Sequence, residues 1–219
     1  AVSHRKVQRE SASAFHLAQT RVSLAGNATY TGFLMSAGAR LSRCEVEARL
    51  EGDGANCELD GIYLARDHQH SDITTRIAHT EPGGNSRQVF KGILDGHSHG
   101  VFQGQVSVSP DAQRTDGHQL NKTLLLSEGA EIDTKPELEI CADDVKCSHG
   151  ATAGQLDELE LFYLRSRGLD AEEARQVLIR AFIAEVVESV EEGDFQDQLN
   201  TIIDNWLSNG LSTSQESDG

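Results

Sequence analysis

The chain has 219 residues, with 35 acidic against 19 basic side chains and a net charge of −16 at neutral pH. Nucleic acid and anionic membrane surfaces both bind positive potential, so this balance excludes them and points to protein partners. No run of 18 apolar residues could cross a membrane, no basic-then-apolar export signal stands in the first thirty residues, and Cys44, Cys57, Cys141 and Cys147 include no C-x-x-C pair. The expectation is a reducing compartment, cytosolic or stromal, in which the cysteines act as small buried hydrophobes.

From Cys44 to Leu50, residues Cys44, Val46, Ala48 and Leu50 share one face while charges take the other, the period-two pattern of a half-buried strand. The same alternation predicts strands at 72–79, 89–94, 101–109, 122–126 and 137–142, each bounded by Gly, Asn, Asp or Pro. A small turn residue followed by Ala recurs at Asn27-Ala28, Gly38-Ala39, Gly54-Ala55, Asp111-Ala112, Gly129-Ala130 and Gly150-Ala151. The later intervals, Ala112 to Ala130 to Ala151, are 18 and 21 residues. They suggest a β-solenoid with a coil of roughly 20 residues, in which each coil buries its inner face only by stacking on its neighbours. Phe90-x-Gly92 and Phe102-x-Gly104 each put an aromatic and a glycine on one strand face. A β-sandwich gives similar strand spacing, and periodicity alone does not separate the two.

Near Gly154 the period changes from 2 to 3.6, which divides the chain into a strand region at 1–153, three helices at 154–209 and a polar, disordered tail at 210–219. Residues 151–219 carry 15 acidic and 4 basic side chains, a net −11, leaving −5 for the remainder. The first helix is expected at 156–167, with Leu156, Leu159 and Tyr163 on one side and Gly168 as its left-handed stop. Asp170 with Glu173 makes a capping box for the second. This helix is apolar on one face through Ala174, Val177, Leu178, Ala181 and Phe182, and on another through Ile179, Ile183, Val187 and Val190. The third carries a stripe of Phe195, Leu199, Ile202, Ile203, Trp206 and Leu207. A helix apolar on two faces must be covered twice, by its own β region, by a partner, or by one on each side.

His68-Gln69-His70 and His97-Ser98-His99 each place two imidazoles on one strand face, weak metal candidates that lack a third ligand; solvent-facing histidines are the plainer reading. His79 and His118 are unassigned. Cys147-Ser148-His149 puts a thiol and an imidazole on one face at the junction of the two regions, where the imidazole favours the thiolate and both groups can ligate iron or sulfur. A packed cysteine beside a hydrogen-bonded histidine fits the residues equally well. No P-loop, G-x-S-x-G elbow or H-E-x-x-H is present. Asp143-Asp144 is a carboxylate pair of the kind carbohydrate-active β-helices use, but neighbours on a strand point to opposite faces.

The run Ala142-Asp143-Asp144-Val145-Lys146-Cys147-Ser148-His149-Gly150-Ala151-Thr152, followed by Phe162-Tyr163-Leu164-Arg165-Ser166-Arg167-Gly168, resembles the C-terminal signature of the SufB/SufD family of iron–sulfur cluster assembly scaffolds. Thr134-Lys135-Pro136 with Leu138-Glu139-Ile140, and Gly38-Ala39-Arg40-Leu41-Ser42-Arg43, are similar to earlier parts of the same pattern. The resemblance spans nearly the whole chain but only the C-terminal portion of the family's length, so an N-terminal part is expected to be missing, in keeping with Ala1 in place of Met. It implies a right-handed parallel β-helix with a small C-terminal helical domain and a scaffold role without catalytic activity of its own. As partners it implies SufB and the SufC ATPase, with a homodimer available to the isolated chain. No stably bound cofactor is implied, only a transient iron–sulfur cluster in the complex with SufB. The helical domain docks the ATPase in that family, and Ile179, Phe182, Ile183 and Val187 are the face expected to do so. The SufB pattern has a glutamate after the signature histidine and a cysteine near Asn121; this chain has Gly150 and no such cysteine, which places it on the SufD side. His149, with Cys147 as the weaker candidate, is then its contribution to a site shared with SufB. A carbohydrate-active β-helix enzyme and a metal-binding storage protein built on the histidine pairs are the competing readings.

Overall fold

The computed structural model describes residues 1–214, with side chains through residue 210. Two parallel sheets are built by a chain that changes sheet at every corner. Sheet A stacks β1 (Val2–Gln8), β3 (Thr29–Ser36), β5 (Asn56–Ala65), β7 (Asn85–Leu94), β9 (Thr115–Leu125) and β11 (Val145–Gly154). Sheet B stacks β2 (Phe15–Leu24), β4 (Leu41–Leu50), β6 (His70–His79), β8 (His99–Val108) and β10 (Glu131–Ile140). The result is a parallel β-solenoid, followed by α1 (Glu158–Ser166), α2 (Ala171–Glu188) and α3 (Asp194–Ser214).

Alternation explains the strands. In β4, Cys44, Val46, Ala48 and Leu50 are buried in the lumen, while Arg43 pairs outside with Glu45 at 2.8 Å and Arg49 with Glu51 at 2.8 Å.

The coil is longer than the turn-plus-alanine spacing suggests. Phe15, Leu41, His70, His99 and Glu131 stack in one column, with steps of 26, 29, 29 and 32 residues. The alanines mark two corners instead of one: Ala28, Ala55 and Ala112 lie where the chain leaves sheet B, and Ala39 and Ala130 where it leaves sheet A. The 18-residue step from Ala112 to Ala130 therefore crosses half a coil, and Gly150-Ala151 lies inside β11.

Large side chains fill the lumen, with Tyr63, Phe90 and Phe102 fully buried and the last two rings 5.2 Å apart. Gly92 is register partner to Tyr63, and a Cβ there would lie 2.0 Å from the tyrosine ring. Tyr63 crosses that gap so that its hydroxyl donates to Asn121 Oδ1 at 3.0 Å and meets Thr123 Oγ1 at 2.6 Å.

The outer faces of the two sheets differ, and this places the helices. Sheet B turns charges outward, whereas sheet A turns out Phe33, Met35, Ile62, Leu64, Val89 and Ile93. These residues join Ile179, Ile183, Val186 and Val187 of α2 and Leu199, Ile202, Ile203 and Leu207 of α3 in one core cluster. Polar fasteners flank it: Lys91 donates to the Phe182 carbonyl at 2.6 Å and pairs with Glu185 at 2.8 Å, and Arg87 grips Asp60 at 2.9 Å. Arg66 stacks 4.0 Å from the Trp206 ring and donates to the Trp206 carbonyl.

The helix ends follow the sequence signals. Asp157 caps α1, Gly168 follows it at φ +102°, and Asp170 with Glu173 closes the capping box of α2. The third helix runs on to Ser214, past the point where the polar tail was expected to begin; residues 215–219 lie outside the described residues.

Candidate functional site at the terminal coil

Strands β10 and β11 are the last members of their sheets, β10 paired only with β8 and β11 only with β9. On the lumen side of β11, Cys147, His149 and Ala151 stand in register with Gly117, Gln119 and Asn121. One row makes the difference: Gln119 and Asn121 are buried, whereas His149 and Ala151 are exposed and Cys147 is half-buried, because no further coil stacks above them. The two edges differ in kind. Strand β10 carries Pro136 and an outward row of Glu131, Asp133, Lys135, Glu137 and Glu139, devices that discourage strand addition. Strand β11 carries one charge, the exposed Lys146 near its start; from Cys147 to Gly154 it is small and uncharged apart from the imidazole, and its backbone edge is open.

Burial pushes the Cys147 thiol up; a hydrogen bond with the Gly117 backbone pulls it back, and nearby Asp116 pushes it up further. The surroundings of Cys147 thus favour the thiol, where the sequence reading expected His149 to favour the thiolate. On the opposite face of this edge His118 bridges two groups, with Nε2 at 2.7 Å from Asp116 Oδ1 and Nδ1 at 2.6 Å from Ser148 Oγ. Sequence reasoning left His118 unassigned, and only the register of β9 with β11 reveals that it braces the strand carrying His149.

The other candidates lie elsewhere. The two histidine pairs meet across neighbouring coils, His68 stacked on His97 at 5.4 Å and His70 edge-on to His99 at 4.9 Å, with His99 Nε2 at 2.8 Å from Asp133. Among the described residues no group of three or more His, Cys, Asp or Glu side chains stands where it could hold a metal ion. Asp143 and Asp144 sit in the corner between β10 and β11, both exposed, and not on a strand. Cys44 and Cys57 are buried, and burial pushes the Cys57 thiol up to about 12.

Of the face expected to meet the ATPase, Ile179, Ile183 and Val187 are buried in the cluster shared with sheet A. Phe182 is half-buried, its ring 5.3 Å from Lys91 Nζ. Ile183 and Val187 also line a groove of 470 Å³ between α2 and α3. Among the helices the open apolar surface is on α1, which buries none of its residues: Leu159 is 78% exposed, Phe162 71% and Tyr163 56%; Phe15 and Leu17 of β2 are also exposed, on the outer face of sheet B. No helix among the described residues is long and apolar enough to cross a membrane.

Residues 1–182 match the family model described as the SUF system FeS cluster assembly, SufBD core domain. The chain is 39% identical over 202 residues to an iron–sulfur cluster assembly SufBD family protein of Synechocystis sp., covering 92% of this chain and 45% of that protein. It is 36% identical over 207 residues to the iron–sulfur cluster assembly protein SufD of Escherichia coli, covering 94% and 49%. To the chloroplastic protein ABCI7 of Arabidopsis thaliana it is 39% identical over 197 residues, covering 89% and 41%. The chain thus spans about half the length of the curated relatives it matches.

Proposed function

This chain belongs to the SufBD core family of the SUF iron–sulfur cluster assembly system, and we propose that it serves there as a non-catalytic, SufD-like scaffold that pairs with SufB and docks the SufC ATPase. The observation that carries this reading is the open terminal coil, where the edge of β11, uncharged beyond Lys146, holds His149 and Cys147 toward the end of the lumen. A strand edge of this kind is completed by another strand, and a SufB-type solenoid end would supply one. A thiol and an imidazole are two donors, fewer than a cluster needs, so cluster building requires ligands from across that interface. The cluster is then the product of the assembly, formed at a shared site and passed on. The relatives come from bacteria and, for one, the chloroplast, which supports a bacterial cytoplasm or plastid stroma as the location.

For the ATPase, burial redirects the expected surface. Ile179, Ile183 and Val187 hold the helix layer on sheet A, and the exposed stripe Leu159, Phe162, Tyr163 offers the kind of amphipathic helix that enters a partner's groove. The test of the shared site uses the full-length protein co-expressed with SufB and SufC. His149→Ala should leave the complex assembled and abolish the visible absorbance of assembled clusters; undiminished cluster formation would remove His149 from the site.

A further inference from the structure

The lumen is not uniformly apolar. In sheet A, Gln88, Gln119 and His149 follow one another in a single inward column, and Asn121 lies in the next column beside Phe90. Thr75, Gln88, Gln119 and Asn121 are each at most 2% exposed. Thr75 Oγ1, both amide atoms of Gln88, both of Gln119, and Asn121 Nδ2 have no hydrogen-bond partner. Gln119 reaches across to sheet B: a Cβ on Gly104 would lie 1.8 Å from its Nε2, and Gly104 is register partner to Thr75. The four side chains therefore converge on one stretch of lumen from both sheets.

Buried polar atoms left unpaired cost more than a marginally stable fold tolerates repeatedly, so this group must be satisfied from within the lumen. The unpaired atoms include donors, acceptors and a hydroxyl, and their neighbours in register, Leu59 beside Gln88 and Phe90 beside Asn121, are uncharged. An ion would satisfy only one kind of atom and would be desolvated without a counter-charge; a small neutral molecule that both donates and accepts suits all of them. We propose that this stretch is a hydrated chamber in which ordered water bridges Thr75, Gln88, Gln119 and Asn121, with its upper end one coil beneath His149. The imidazole then has a hydrogen-bonding route on its lumen side in addition to bulk solvent.

The chamber does not depend on the assembly role. A crystal structure of the full-length protein, at a resolution that shows ordered water, should reveal at least one water bonded to both the Gln88 and Gln119 amides. Direct amide-to-amide pairing of Gln88 with Gln119 and no water density between them and Thr75 would overturn the proposal. Gln119→Leu should also shift the imidazole resonances of His149 in NMR spectra; unchanged resonances in a folded variant would sever His149 from the chamber. Should that variant fail to fold, the water positions in the unaltered protein decide the matter alone.

Discussion

His79 is fully buried, its Nε2 at 2.8 Å from Ser86 Oγ, and burial lowers it to about 4 from an ordinary 6.5. Between those values the unfolded chain binds a proton that the folded chain refuses. Stability must therefore fall as pH drops from about 6.5 towards 4 and then level off, by up to roughly 3 kcal/mol from this residue. Urea midpoints measured across this window should decline for the native protein and decline less for His79→Asn; equal slopes would contradict the assignment. Thiol chemistry gives a second residue-scale outcome. Iodoacetamide should label exposed Cys141 first and Cys147 more slowly, with Cys44 and Cys57 labelled only on unfolding, as peptide mass mapping would show. The sequence allowed His79 no role because its burial comes from the coil stacked on it, a long-range contact that spacing does not encode. Cys147 and His149 were legible because strand alternation alone puts them on one face.

At the scale of the element, Gly92 and α1 are the informative cases. Gly92→Ala drives a methyl into the Tyr63 ring, and a loss of about 3 kcal/mol in chemical denaturation is expected. The Phe-x-Gly pattern placed Gly92 on the same face as Phe90, but the ring that fills its space is Tyr63, one coil away, and only the register identifies it. On the helices, Phe162→Asp should weaken SufC binding about tenfold or more with little change in stability, because Phe162 is open to solvent. Ile183→Asp should instead destabilise the helix layer, and titration calorimetry with thermal melts separates the two outcomes. Reversed results would return the docking face to α2. Periodicity revealed that α2 is apolar on two sides. It did not assign those sides, since the apolar outer face of sheet A is hidden in unbroken runs such as Ile62-Tyr63-Leu64-Ala65, where both strand faces are buried.

For the whole molecule, strand alternation and corner residues made short stacked strands readable but did not separate a solenoid from a sandwich; the family resemblance chose the solenoid, and coil length was not readable. Both corners use the same small-residue chemistry, so Ala112 and Ala130 look like one repeat when they are opposite corners of one coil. The close of the solenoid carries the functional argument. One end of sheet A stops at an edge whose one charged side chain is Lys146, the matching end of sheet B at a highly charged, proline-bearing one, and the helices cover the outer face of sheet A. On the proposed reading a partner solenoid adds at that end and the ATPase docks on the helices. Native mass spectrometry of the full-length protein, purified by a tag on this chain alone after co-expression with SufB and SufC, tests that account most directly. A single species containing all three proteins is predicted; this chain recovered alone or only as a homodimer, with SufB and SufC assembling without it, would contradict it.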